Sequence, residues 1–72
     1  MKVMAPMSGS VWKIQVSEGD QVRAGDPMII LESMKMEIPI ESTLNGQIVH
    51  IHVSEGDFIQ ENDVVAEIEN DS

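Results

Sequence analysis

Apolar and polar residues alternate along much of this chain with a period of two. Trp12, Ile14 and Val16 are separated by Lys13 and Gln15, and Val49, Ile51 and Val53 by His50 and His52. Alternation of this kind puts one set of side chains on one face of a strand and the other set on the opposite face. It predicts that Trp12, Ile14, Val16, Val49, Ile51 and Val53 are buried, with Lys13, Gln15, His50 and His52 facing outward. Ile29 with Leu31, Ile38 with Ile40, and Ala66 with Ile68 carry the same period into further strands, and Ile29, Leu31, Ile40 and Ile68 complete the expected core. Helical spacing fails throughout.

The chain also contains itself twice. A shift of 37 positions lays Gly9–Glu32 on Gly46–Glu69, matching Ser17, Glu18, Gly19 and Asp20 to Ser54, Glu55, Gly56 and Asp57 with identical residues. The same shift pairs Gly9 with Gly46, Ile14 with Ile51, Val16 with Val53 and Val3 with Ile40. Neither copy can bury its own apolar face. Together they imply an all-β, pseudo-twofold flattened barrel or sandwich of two four-stranded antiparallel sheets, a single domain over residues 1–72. The Glu-Gly-Asp blocks fall at turns, where Gly19 and Gly56 supply a positive φ.

One reversal breaks the rules of turn chemistry. Between Leu31 and Ile38 the chain must turn, yet Glu32, Ser33, Met34, Lys35, Met36 and Glu37 include no Gly, Asn or Asp. A turn made without turn residues suggests selection for something other than folding. Met34 and Met36 either fold back over the core or stay exposed as an adaptable docking surface, and pattern alone leaves both open. Lys13 aligns with His50 on the polar side of a strand, and Lys2 lies near the terminus. Lys35 sits in the segment joining the copies, placing it near the pseudo-twofold axis and far from both ends.

Composition narrows the function. The net charge of −9 argues against nucleic acid and anionic membrane surfaces as partners, and the longest pure apolar run, Met28–Leu31, is far too short to span a bilayer. With no cysteine there is no disulfide framework, no thiolate nucleophile and no Cys-based zinc site, and a cytoplasmic home fits. His50 and His52 could form half of a metal site, but no third ligand is spaced to join them, so no metal site is expected. The acidic residues read as solvated surface. No catalytic constellation appears: Ser8, Ser10, Ser17 and Ser54 lack a nucleophile's setting, and there is no Gly-rich phosphate loop.

At this point the residues resemble a known family, the biotinyl/lipoyl attachment domains, and within it the biotin carboxyl carrier type. Glu32, Ser33, Met34, Lys35 and Met36 are similar to its biotinylation motif Glu-Ala-Met-Lys-Met, and Ala5, Pro6, Met7, Ser8 and Gly9 to its opening Ala-Pro-Met-Pro-Gly. Ser33 and Ser8 depart from the pattern; the Met-Lys-Met centre does not. The resemblance implies a barrel-sandwich hybrid fold and a non-catalytic carrier. It implies biotin in amide linkage on Lys35, with Met34 and Met36 read by biotin protein ligase. A biotin carboxylase and a carboxyltransferase would use the arm in turn. With no insertion like the thumb of some acetyl-CoA carboxylase carriers, the chain resembles a free-standing single-domain attachment protein.

Two other readings stay open. A lipoyl carrier shares the fold, and Glu32, three before Lys35, and Gly19, sixteen before it, resemble positions that lipoyl ligase favours, so lipoate alone or dual modification is an alternative. An unmodified adaptor or assembly module is the other, although it leaves Met-Lys-Met without a purpose.

Overall fold

The computed structural model describes residues 1–70 and consists of eight strands: β1 (Lys2–Met4), β2 (Gly9–Ile14), β3 (Gln21–Val22), β4 (Pro27–Ser33), β5 (Met36–Glu41), β6 (Gly46–Ile51), β7 (Phe58–Ile59) and β8 (Val64–Asn70). They form two antiparallel four-stranded sheets, ordered β1-β8-β6-β3 and β5-β4-β2-β7. The 37-residue shift carries β2, β3 and β4 onto β6, β7 and β8 with identical bounds, and turns the first sheet order into the second. Each sheet takes two strands from each copy, so neither copy can complete a sheet alone.

The core obeys the same symmetry. Val3 and Ile40, Val11 and Ile48, Val22 and Ile59, Met28 and Val65, Ile29 and Ala66, and Leu31 and Ile68 are mates under the shift, and all are buried. Ala5 is buried too, and its mate Ser42 satisfies its hydroxyl by donating to the Leu44 carbonyl at 2.6 Å. Ile29, Leu31, Ile40 and Ile68 are therefore where the alternation puts them.

Trp12 is not. Val11 faces Leu31 across the ladder but Lys13 faces Ile30, so β2 gains one residue between them, and β6 does the same against β8 between Ile48 and His50. A bulge of this kind resets the alternation. Val11 and Ile48 point into the core at 1% exposure each, whereas Trp12 is 47% exposed. Val49, the mate of Trp12, is half-buried and lies outside the core cluster. Past the bulge the expected phase returns, with Ile14, Val16, Ile51 and Val53 half-buried at the margin of the core and Lys13, Gln15, His50 and His52 exposed.

The acidic residues do more than face solvent. Asp20, Asp26, Asp57 and Asp63 each accept the N–H three residues earlier, from Ser17, Arg23, Ser54 and Gln60, at 2.8–2.9 Å. Their own N–H groups donate back to the same residues' carbonyls, closing four similar turns. The third residue of each turn has positive φ: Gly19, Gly25, Gly56 and Asn62. Glu55 accepts the Ile14 N–H and Glu18 the Ile51 N–H, each at 3.0 Å, so each copy's Glu-Gly-Asp block fastens a strand of the other copy. An acidic composition that reads as surface is partly turn and clamp.

Candidate functional site: the β4–β5 hairpin

Ser33 pairs with Met36, leaving Met34 and Lys35 as a two-residue loop. Their φ values are 52° and 64°, the doubly left-handed pair that this shortest hairpin demands. A side chain with a Cβ holds such a conformation at a cost of about 1–2 kcal/mol per residue. Six rungs of ladder between β4 and β5 and the 0% exposed Ile29 and Leu31 beneath them anchor the loop against that cost. At roughly 3.3 Å per residue, β5 lifts the loop about 20 Å above its base. The base lies near the start of the chain, where the Thr43 hydroxyl meets the Met1 sulfur at 3.7 Å.

Lys35 is therefore remote from the chain's beginning, as expected, but it is not near the pseudo-twofold axis. The β4–β5 pair is the symmetry mate of β8–β1, which pair in the same way without a turn to join them. The tip corresponds to that open junction and stands off the axis. A short segment linking two copies looks central in sequence, but its place in space is set by the strands it joins.

At the tip Met34 is 85% exposed and Met36 56%, so neither folds over the core. Lys35 is exposed and, among the described residues, its ammonium has no hydrogen-bond or ion-pair partner. One rung below, Glu32 and Glu37 face each other across the ladder, both exposed. Like charges directly opposed weaken a strand pair, so this acidic collar is not there for the hairpin's stability. Gly19, by contrast, is not brought to the hairpin: its N–H bonds the Ile48 carbonyl at 2.7 Å in the other sheet. Its visible task is its turn.

The two histidines are occupied separately. His52 Nε2 lies 2.7 Å from Glu67 Oε2, and His50 Nδ1 lies 3.8 Å from Glu18 Oε2, with the rings tilted and 5.7 Å apart. The His52 hydrogen bond holds the Glu67 carboxyl below its usual range against the opposing effect of desolvation, with weaker electrostatic help from His52, His50 and Lys2. Among the described residues no three His, Cys, Asp or Glu side chains are grouped to hold a metal ion.

The tip offers one primary amine on a fixed turn, flanked by two exposed thioethers and open to solvent. That is the donor an amide link to a carboxylic acid cofactor requires, and among the described residues no hydrogen-bond or ion-pair partner competes for it. A family model described as "biotin-requiring enzyme", the biotin/lipoyl model, matches residues 1–70. The chain belongs to the biotin/lipoyl family. Among its family relatives, the biotin/lipoyl attachment protein of Bacillus subtilis (strain 168) is 44% identical over 70 residues, covering 97% of this chain and 96% of that one. The biotinylated protein TB7.3 homolog of Mycobacterium leprae (strain TN) is 47% identical over 66 residues, covering 92% and 93%. Among solved structures, the urea carboxylase of Kluyveromyces lactis contains a matching domain with a TM-score of 0.91 and 35% identity over 96% of this chain, which spans only 6% of that enzyme.

Proposed function

We propose that this biotin/lipoyl-family chain is a non-catalytic carrier that holds biotin in amide linkage on the Nζ of Lys35 and presents it to larger enzymes. The observation that carries the reading is the doubly left-handed Met34-Lys35 turn, which lifts one unpartnered amine clear of the fold. The attacking nitrogen must lose a proton as the amide forms and the acyl carbon releases its activating group. Among the described residues no base lies within hydrogen-bonding distance of that nitrogen, so a biotin protein ligase supplies the base, aligns the amine with the biotinyl adenylate and takes up the departing AMP. Met34 and Met36 give the ligase two flexible apolar handles, one on each side of Lys35, and Glu32 marks the strand below. When bound, biotin contributes a ureido nitrogen that takes up and releases a carboxyl group. The chain's own contribution is display and tethering: the rigid hairpin keeps the arm's root fixed, which raises the arm's effective concentration at a biotin carboxylase and then at a carboxyltransferase. A cytoplasmic setting belongs to this reading, supported by the absence of cysteine.

Lipoate is the second reading. The Bacillus subtilis relative is a biotin/lipoyl attachment protein, and the exposed Glu32 is in place for lipoate here. Intact mass of the protein purified from its native host, with peptide mapping, separates the cases. A biotin mass increment on Lys35 is the expected result. A lipoyl increment there would replace the proposal with the second reading, and an unmodified chain in biotin-replete cells would sink both.

A further inference from the structure

The chain has two aromatic residues, and neither is in its core. Trp12 and Phe58 are 47% and 69% exposed. Both lie on the outer face of the sheet that carries the hairpin: Phe58 pairs with Ser10, two residues before Trp12 on the same side of β2, and the bulge brings Trp12 and Lys13 opposite Ile30. Ile30 in turn pairs with the exposed Pro39 of β5. The result is an apolar strip across β7, β2, β4 and β5, running below the tip.

The fold's own symmetry supplies the control. The mates of Phe58, Trp12, Ile30 and Pro39 on the outer face of the other sheet are Gln21, Val49, Glu67 and Lys2. Those positions tolerate polar or smaller residues in the same backbone setting, so the fold does not require the strip. Exposed aromatics together with such an apolar patch mark a protein contact surface. The occupant follows from charge. Glu32, Glu37 and Glu41 border the strip, against a single cation among the described residues of that face, Lys13, whose Nζ lies 5.7 Å from the Trp12 ring centre. A second copy would bring the same carboxylates, and another net charge of −9, against them.

We infer that this face docks the carrier on a larger protein whose patch is apolar at its centre and rimmed with lysine and arginine, and that this protein is the biotin carboxylase that loads the arm. The inference rests on the carrier reading above. The ligase contacts proposed above are Met34, Lys35 and Met36 with Glu32 below them, and include neither of the strip's aromatics.

The test uses Trp12→Val with Phe58→Gln, which installs on this sheet the side chains its symmetry mate already bears. Parent and variant are biotinylated with the source organism's biotin protein ligase and then titrated as substrates of its biotin carboxylase, following bicarbonate-dependent ATP hydrolysis. The variant is expected to keep the parent's ligase rate and thermal midpoint while its KM for the carboxylase rises about tenfold or more, as loss of central aromatic anchors does. Unchanged KM would overturn the inference, as would a matching loss in the ligase reaction. A parent that the ligase does not modify would instead defeat the carrier reading itself.

Discussion

In the proposed reading Lys35 carries the chemistry but little of the fold. Replacing it with arginine keeps the charge and removes the nucleophilic amine, so biotinylation followed by streptavidin blot or mass is expected to vanish. Lys35→Ala should do the same while moving the unfolding free energy by no more than about 0.5 kcal/mol, because its side chain is exposed at the tip. Its neighbour makes the converse case. Met34 holds φ at 52° without the help of glycine or asparagine. Met34→Asn is expected to raise stability in urea titrations by about 0.5–1 kcal/mol and to slow biotinylation, since it eases the left-handed strain and removes a thioether. A variant both more stable and modified as fast would mean that Met34 is an accident of the turn. Glu67 offers a pH signature. Its folded carboxyl is held below the ordinary range, chiefly by the His52 hydrogen bond. The contribution is therefore complete above the unfolded carboxyl's range and lost as pH falls through the folded one. Denaturation series across acidic pH should show parent and Glu67→Gln differing at neutral pH and converging in acid.

At the scale of strands, the identical glycines Gly9 and Gly46 explain themselves by contact. A Cβ on Gly9 would stand 2.6 Å from the Glu32 carbonyl oxygen, and one on Gly46 would collide with the Glu69 carbonyl. Each opens a central strand where it crosses its neighbour. Gly9→Ala is expected to cost about 1–3 kcal/mol in urea unfolding and to disturb the hairpin's footing, since the clash falls on β4 one rung from Ser33. Gly46→Ala should cost at least as much, since its Cβ would sit closer still to its neighbours, but leave biotinylation of the folded fraction unchanged, because its clash is in the other sheet. Equal losses of modification in both variants would show that the two sheets do not insulate the hairpin as described.

The molecule as a whole is two copies that fold only as one. Each sheet draws two strands from each copy, and Glu18 and Glu55 fasten strands across the pair. Peptides cut at the hairpin, covering residues 1–34 and 35–72, are each expected to lack a cooperative thermal transition, and a mixture is expected to recover strand signal in circular dichroism. Either fragment folding by itself would mean that the copies are independent units. Cutting there also removes the site, which exists only because β4 and β5 are joined by a turn while their mates β8 and β1 are not.

What the sequence determined by itself is what local physics expresses in residue types. Period-two alternation demands strands, a duplicated block demands twofold architecture, and glycine in Glu-Gly-Asp demands a turn. A lysine between methionines in a turn without turn residues points to the carrier site, and the resemblance to biotin carriers rests on those same residues. Residue types are silent on whether a strand keeps step with its neighbour. Alternation reports a face only while the ladder stays in register, and the bulge at Trp12 has no residue-type signature; it took β4 to show that Val11 is inside and Trp12 outside. The Asp and Glu contacts to backbone N–H groups were hidden for a related reason: a carboxylate that clamps a strand 33 or 41 residues away is spelled like one that faces water. The place of the tip off the symmetry axis, and the apolar strip beneath it, likewise arise from pairing between strands distant in the chain.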